Sequence, residues 1–305
     1  MKFKQLEIIN KIIGGSKRII LPGFDGMPLY DVTLFFFRGM MKGSITTRAS
    51  SMSFSFFLAL FPAIIFFFTL IPYLPIHNFQ DILLDLMKGI LPGNAYEASK
   101  ETLIDIVQRQ RGGLLSIGFV LALFFATNGI NSIIDAFNST YHTMETRSWY
   151  YQRLVSIILV LISVLLITIG ILVITLSSFG IDFLVKEGII RSMLAIYLVM
   201  AGKWVVILAI FFFTISFIYF LAPSKKERFR FISAGSTMAT ILSILTSLGF
   251  NFYVNNFAKY NALYGSIGTL IIILMWIYFN AIILLVGFEL NASISAAKKQ
   301  KQIIP

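Results

Sequence analysis

Residues 154–179 read LVSIILVLISVLLITIGILVITLSSF, a stretch of 26 residues without a single charged side chain. A helix needs about 20 mostly apolar residues to cross the hydrocarbon core of a bilayer. Because that core offers no water to backbone polar groups, such a run crosses it as a helix, whose N–H and C=O groups bond to each other. The stretch therefore predicts a transmembrane helix and places the chain among membrane proteins.

Further windows on both sides of this stretch meet the same criterion. They are Ser51–Leu74, Leu114–Ile134, Met193–Ala222, Ile232–Val254 and Ser266–Leu290. With the first stretch they occupy about half of the 305 residues, which leaves no room for a large soluble domain. We predict an all-α fold, a polytopic membrane helix bundle with six transmembrane helices.

The composition supports this class. Hydrophobic residues make up 57% of the chain and charged residues 13%, whereas soluble domains carry about 25% charged residues. A soluble enzyme of this size could not bury so much apolar surface in one core. The chain has no cysteine, which excludes thiolate nucleophiles and cysteine-ligated metal sites.

The net charge of +11 is explained by the distribution of basic residues between the loops. With six spans and a cytoplasmic N-terminus, the cytoplasmic segments hold 17 Lys and Arg residues and the opposite side holds seven. Cytoplasmic loops of membrane proteins are enriched in these residues. If the second window did not cross, the basic loop Pro223–Arg230 would lie outside. The charges therefore favour six crossings with both termini in the cytoplasm.

The chain divides into three expected regions. Residues 1–48 form an N-terminal amphipathic segment, residues 49–292 the six-span membrane domain, and residues 293–305 a basic cytoplasmic tail. Within the first region, Lys4–Ile13 and Leu29–Lys42 show the spacing of short amphipathic helices. They could lie along the inner leaflet with their cations toward anionic headgroups, or pack against the bundle.

The segment Pro75–Gly113 is the one substantial external segment of this topology. Apolar residues at helical spacing, followed by the turn signal Pro92-Gly93-Asn94, predict two amphipathic helices there. These helices could form a cap, a dock for a partner protein or an interfacial shelf, or the segment could be a loop without such a role.

Lys203 is the most informative residue within a span. It lies about ten residues into the fourth window, or about 15 Å along a helix. A lysine at mid-depth costs about 2.5–3.5 kcal/mol on insertion scales. An anionic ligand, a water-filled cavity or a carboxylate partner would explain it, as would snorkelling of its ammonium group to the interface or a purely structural pair. Glu289 lies at the end of the sixth window, so its depth matches that of Lys203 poorly.

A polar stripe runs from the second span into the following loop. Asn128, Asn131, Asp135 and Asn138 follow the spacing i, i+3, i+7, i+10, which places them on one face of a helix. The stripe could line an inner vestibule, or it could be a seam of hydrogen bonds between helices. Asn280, central in the last span, fits either interpretation.

Small residues and one proline suggest how the helices pack. Gly235, Ala239, Ser243 and Ser247 are each four residues apart, a spacing that lets a second helix approach closely. Helix packing is favoured there over a transport groove. Pro62 removes a backbone hydrogen bond near the middle of the first span and predicts a helix break.

Catalytic signatures are missing from the sequence. There is no phosphate-binding loop, no H-E-x-x-H, no G-x-S-x-G and no dinucleotide fingerprint. The 14 acidic residues are scattered over loops on both sides of the membrane, whereas two-metal nuclease sites need carboxylates clustered around shared ions. We expect no enzyme activity, no cofactor, no metal and no nucleic-acid partner.

Three stretches resemble the YihY/BrkB family of bacterial membrane proteins, over roughly residues 28–296. The stretches carry the family's sequence blocks: Arg48-Ala49-Ser50 through Pro62; Gly113–Ser116 through Ala136-Phe137-Asn138 and Glu145-Thr146-Arg147; Tyr264-Gly265-Ser266 through Glu289-Leu290-Asn291-Ala292. The resemblance implies a bacterial inner-membrane protein with about six spans. Some members are labelled ribonuclease BN, and a role in moving lipids or envelope precursors has been proposed for relatives.

Two functions are consistent with these features. The first is transport or translocation of an amphipathic anionic envelope substrate such as a lipid, with Lys203, Asn128, Asn131, Asp135, Asn280 and Glu289 as candidates for its pathway. The second is a scaffold that does not transport and that docks an envelope protein through residues 75–113. Membrane lipids are expected partners in both cases.

Overall fold

The computed structural model describes residues 14–42, 44–73, 101, 104–105, 110–140, 143–144, 147–186, 193–224, 230–256 and 259–303. The helix expected at Lys4–Ile13 and most of the expected outer helices between residues 75 and 113 lie outside these residues. The structural statements that follow concern the described residues.

The fold is all-helical. The helices are α1 (Leu29–Lys42), α2 (Ile45–Leu70), α3 (Gly112–Asn138), α4 (Trp149–Lys186), α5 (Met193–Leu221), α6 (Ala234–Asn256) and α7 (Lys259–Ile303). A 3-10 turn, Ile71–Tyr73, follows α2, and two-residue strands, Ser139–Thr140 and Thr143–Met144, pair antiparallel between α3 and α4. Since α2 to α7 each contain a stretch long and apolar enough to cross a membrane, the prediction of six spans is confirmed.

Some helix ends differ from the sequence windows. The helix α2 begins at Ile45, six residues before the first window, and α7 continues to Ile303, well beyond Leu290. The polar residues that end the last apolar window are buried there, with Asn291 5% and Ser293 0% exposed. Their burial explains why the helix persists where the hydropathy falls.

The chain forms two compact units, whose boundaries fall within α2 and α3. The larger unit contains residues 1–53 and 130–305. In it, α4 packs on α5, α5 on α6, and α6 on α7, while α1 lies against the last part of α7. Phe24, Met27 and Val32 form a buried apolar cluster with Leu290, Ile294 and Ala297 of α7. Of the two expected placements, α1 therefore packs against the bundle, although Phe37 and Met41 on its other side are exposed.

The smaller unit, residues 54–129, is built from the second part of α2 and the first part of α3. Glycines of α3 allow these helices to approach closely. A Cβ on Gly118 would lie 3.4 Å from the Phe66 backbone, and one on Gly129 would lie 3.3 Å from the Phe56 ring. Phe66 and Phe119 place their ring centroids 5.6 Å apart beside this contact. Pro62 is buried within α2, which continues past it as one helix from Ile45 to Leu70.

Candidate functional site

A buried ion pair joins the beginning of α2 to α7. The Nη2 atom of Arg48 lies 3.7 Å from Oε2 of Glu289, and the side chains are 9% and 0% exposed. The Nη1 atom of the same guanidinium donates a hydrogen bond of 2.8 Å to the carbonyl of Ala136, in the last turn of α3. Carbonyls in the last turn of a helix lack partners within the helix. Arg48 therefore neutralises Glu289 and caps α3 with one side chain.

Aromatic rings pack beside this pair. Phe137, next to Ala136, stacks on Phe288, next to Glu289, with parallel rings and centroids 4.1 Å apart. Tyr219 of α5 presents its ring edge-on to Phe137 at 5.6 Å and donates a hydrogen bond of 2.7 Å to the carbonyl of Leu284. Tyr219 and Phe137 are almost fully buried where α3, α5 and α7 meet.

The helices α6 and α7 touch through glycines. A Cβ on Gly287 would collide with the Tyr219 hydroxyl and would lie 2.8 Å from both the Ala239 Cβ and the Gly235 carbonyl oxygen. A Cβ on Gly235 would likewise collide with the Gly287 carbonyl oxygen and lie 2.6 Å from the Asn291 amide. Only hydrogen fits at either position while the helices keep this separation.

Asn291 also closes the first turn of α6. Its Oδ1 accepts a hydrogen bond of 2.8 Å from the Gly235 N–H, and its Nδ2 donates one of 2.9 Å to the Ser233 hydroxyl. Ser233 in turn accepts a hydrogen bond from the Ser236 N–H at 3.1 Å. The first N–H groups of a helix need such acceptors, and here a side chain of α7 supplies one of them.

A second arginine caps α5. Arg147 donates from Nη1 to the carbonyl of Leu221 at 3.1 Å and from Nη2 to the carbonyl of Pro223, while its guanidinium lies 5.3 Å from the centre of the Tyr151 ring. Partial burial lowers the pKa of Arg147, and the hydroxyl of Tyr151 acts in the opposite direction. Next to Pro223, the Ser224 N–H donates a hydrogen bond of 2.8 Å to the side-chain oxygen of Asn138.

The polar stripe predicted on α3 makes contacts to α4. Gln152 donates hydrogen bonds of 2.8 Å to Asn131 and 2.6 Å to Asp135, and Asn131 donates one of 3.0 Å to Asp135. Asn128 lies a turn earlier on α3 and is half-buried. These hydrogen bonds join α3 to α4. They correspond to the seam of hydrogen bonds between helices, which the sequence offered as the alternative to a vestibule.

The remaining predicted pathway residues are not brought together. Lys203 is half-buried on α5, and it forms no ion pair with any residue that the structure describes. Glu289 lies deep in the unit on Arg48, so the two charges singled out from the sequence do not meet. Asn280 donates a hydrogen bond of 2.9 Å to the carbonyl of Trp276 on its own helix.

The small-residue stripe of α6 lies partly against α7. Gly235, Ala239 and Ser243 are buried, and Ser247 is half-buried. The first two contact Gly287, as described above. Among the described residues no three His, Asp or Glu side chains come together as a metal site requires.

Sequence reasoning assigned no role to Arg48, Tyr219, Gln152 or Asn291. Arg48 and Asn291 stood within the motifs that carry the family resemblance, but nothing local to either motif indicates a contact with the other. The structure shows that three motif stretches meet: Arg48 of the first contacts Ala136 of the second and Glu289 of the last. The convergence of these stretches is the main feature of the candidate site.

Comparisons with known proteins identify relatives of this chain. A model of the family described as "Virulence factor BrkB" matches residues 36–303. The "Putative ribonuclease-like protein YfkH" of Bacillus subtilis (strain 168) is 35% identical over 255 residues, which cover 83% of this chain and 91% of the relative. The "UPF0761 membrane protein NTHI0384" of Haemophilus influenzae (strain 86-028NP) is 26% identical over 278 residues, covering 88% and 96%.

No solved structure matches the chain. The matched family region begins in α1 and ends with α7, so it contains all six candidate spans together with Arg48, Ala136 and Glu289. The chain is therefore an integral membrane protein that belongs to the BrkB family.

Proposed function

We propose that this protein translocates an amphipathic, anionic envelope substrate, such as a lipid, across the bacterial inner membrane. In this proposal both termini lie in the cytoplasm, as the distribution of Lys and Arg favours. The observation that carries it is the position of Lys203, a cation within a span whose window has a mean hydropathy of 2.6.

The surroundings of Lys203 support a role for its charge. It is the eleventh residue of the 29-residue helix α5, and therefore lies about 15 Å from the start of the helix. The side chains of its neighbours Trp204 and Val205 are 61% and 65% exposed, whereas the side chain of Lys203 is half-buried. A lysine at such a depth needs compensation worth about 2.5–3.5 kcal/mol, which an anionic headgroup passing the helix would supply.

The helix contacts indicate on which side of α5 the substrate would pass. Ile210 lies 4.0 Å from the position of a Cβ on Gly170 and so marks the side of α5 that faces α4. Lys203 is seven residues before Ile210, which places it on the same side of the helix, two turns away. We propose that the headgroup contacts Lys203 along the margin between α4 and α5.

Lipid transfer in reconstituted vesicles tests the proposal. Fluorescent phosphatidylglycerol is placed in both leaflets, and a membrane-impermeant reductant reports how much probe reaches the outer leaflet with time. We expect wild-type protein to speed transfer over protein-free vesicles, Lys203→Met to lower it severalfold, and Lys203→Arg to retain most of it because the charge remains.

Two results would contradict translocation by way of Lys203. One is wild-type vesicles that transfer the probe no faster than protein-free vesicles. The other is a Lys203→Met protein with the wild-type rate and the wild-type content of helix by circular dichroism. Fluorescent phosphatidylcholine, whose zwitterionic headgroup carries no net charge, serves as the control for lipid movement around the protein that does not depend on an anionic headgroup.

A further inference from the structure

A basic cavity lies at the beginning of α6, beside the last turns of α7. Its volume is about 270 Å³. The residues that line it include Asp25 in the turn before α1, Arg230 and Ser233 at the start of α6, and Asn291, Lys298 and Lys299 near the end of α7. We refer to it as the Asp25 cavity.

The lining of the Asp25 cavity carries an excess of positive charge. Arg230 Nε lies 3.2 Å from Asp25 Oδ1, and Lys298 Nζ lies 3.6 Å from Asp25 Oδ2. Lys299 also lines the cavity, so the described lining holds three basic side chains and one carboxylate. Arg230 and Lys298 are 70% and 51% exposed, whereas Asp25 is 21% exposed. The cations therefore keep accessible faces toward solvent after pairing with Asp25.

The backbone holds Asp25 in place at the floor of the cavity. Its φ of 52° is in the left-handed region, between Gly23 at 86° and Gly26 at 78°. Phe24 and Met27, on either side of it, are buried in the apolar cluster against α7. Because Phe24 and Met27 are both buried, the position of the Asp25 carboxylate is fixed. The longer side chains of Arg230 and Lys298 extend to it.

The start of α6 adds to the positive potential. Ser233, the residue before α6, lines the cavity, and the N-terminus of a helix carries about half a positive charge. Its first N–H groups already bond to Ser233 and to Asn291. The helix therefore contributes its dipole, while the direct donors to a ligand would be Arg230 and Lys298.

We propose that the Asp25 cavity binds a phosphate group, held by Arg230 and Lys298, that belongs either to an anionic lipid headgroup or to a free phosphate. Arginine and lysine both bind phosphate, arginine through paired N–H donors and lysine as a point charge. Leu34, Phe37 and Met41 leave apolar surface exposed on α1, which packs on the same part of α7 that lines the cavity. This surface suits a position at headgroup depth. This proposal does not depend on the proposed transport function, because phosphate binding to the cavity can be measured without transport.

Calorimetry on the purified full-length protein in a mild nonionic detergent tests the site. The probes are inorganic phosphate, a water-soluble short-chain phosphatidylglycerol, and the matching phosphatidylcholine, whose choline cation opposes binding. We expect Arg230→Gln and Lys298→Gln each to weaken binding of the anionic probes about tenfold, or about 1.4 kcal/mol, because each removes one cation that would pair with the phosphate. Lys301→Gln removes the same charge from the exposed end of α7, outside the lining, and should leave binding nearly unchanged.

Asp25→Asn separates a phosphate site from an internal salt bridge. If the cavity binds phosphate, removing the competing carboxylate should strengthen binding severalfold. If Arg230 and Lys298 serve only to neutralise Asp25, the variant should lose thermal stability and gain no affinity, and the proposal is then wrong.

The source of the phosphate follows from the relative affinities. Tighter binding of phosphatidylglycerol than of inorganic phosphate, both weakened by Arg230→Gln, assigns the cavity to a lipid headgroup. Equal or tighter binding of inorganic phosphate assigns it to the free ion. The proposal is overturned if neither probe binds, or if Lys301→Gln weakens binding as much as Lys298→Gln does. Circular dichroism of each variant verifies the fold.

Discussion

Arg48 and Glu289, which are separated by 240 intervening residues, form an ion pair that is almost fully buried, with Nη2 and Oε2 3.7 Å apart. Two charges removed from water stabilise a fold little, but either one alone is costly. The pair therefore acts as a condition on folding: α2, α3 and α7 must come together for either charge to be tolerated.

Removing one partner of this pair should destabilise the protein strongly. We expect Arg48→Gln and Glu289→Gln each to lower the free energy of unfolding by about 3–5 kcal/mol, because each leaves a buried charge without its partner. The double variant should lose much less than the sum of the single losses. Unfolding of the purified protein in detergent, followed by circular dichroism, measures all three. Arg38→Gln, on the exposed side of α1, is the matched control. If the loss in the double variant equals the sum of the two single losses, Arg48 and Glu289 do not stabilise each other and the prediction is wrong.

Much of the fold follows from the sequence, because spans depend on properties that neighbouring residues share. A run such as Leu154–Phe179 predicts a membrane helix by length and hydropathy alone, and all six spans are confirmed. The full extent of α7 does not follow in this way. Asn291 follows the apolar window, yet it is buried because the start of α6 covers it, while α1 and the turn before it pack on Leu290 and Ile294. Burial of this kind depends on the tertiary structure.

The candidate site was predictable only in part. The spacing of Asn131 and Asp135 placed them on one face of α3, but the identity of their partner, Gln152, is set by how α4 packs. Glu289 was visible as a charge near the end of a span. Its pairing with Arg48 rather than with any nearer cation depends on contacts between helices far apart in the chain, which no local pattern encodes.

The contact between α6 and α7 should not tolerate a methyl group at Gly287. A Cβ there would collide with the Tyr219 hydroxyl and lie 2.8 Å from Ala239 Cβ. We expect Gly287→Ala to cost about 1–3 kcal/mol through overpacking, seen as a lower midpoint of thermal unfolding. Gly249→Ala on α6 is the control, because nothing lies within 4 Å of its added Cβ. Its stability should be unchanged or slightly raised, since alanine favours helix.

Removal of the Tyr219 hydroxyl should partly rescue Gly287→Ala. Alone, Tyr219→Phe loses the hydrogen bond to the Leu284 carbonyl and should cost about 0.5–1.5 kcal/mol. In the Gly287→Ala background the same change also removes the atom nearest to the new methyl group. The double variant should therefore be more stable than the sum of the single effects indicates. If the double variant loses as much stability as the sum of the two single losses, or more, in the same thermal unfolding, then the close contact to the hydroxyl is not what excludes a methyl group at Gly287.

The seam between α3 and α4 distinguishes structural from transport roles. If the hydrogen bonds of Gln152 to Asn131 and Asp135 hold the helices together, Gln152→Ala should lower stability by about 0.6 kcal/mol, the average for such bonds in a membrane. Lipid transfer should then stay at the wild-type rate. Asn280→Ala, whose amide bonds to its own helix, should have a smaller effect on stability. A loss of transfer at unchanged stability in Gln152→Ala would favour the vestibule instead.

The absence of native cysteine makes the topology directly measurable, because any introduced thiol is the only one in the chain. The distribution of basic residues predicts that Glu101 lies outside the cytoplasm and that Ser148 and Gln302 lie within it. In intact cells a membrane-impermeant maleimide should label Glu101→Cys, and it should label Ser148→Cys and Gln302→Cys only after the membrane is permeabilised. All three side chains are exposed, so a failure to react cannot be attributed to burial in the fold. Labelling of Ser148→Cys in intact cells would mean that α3 does not cross, and it would put the basic loop before α6 on the outside as well.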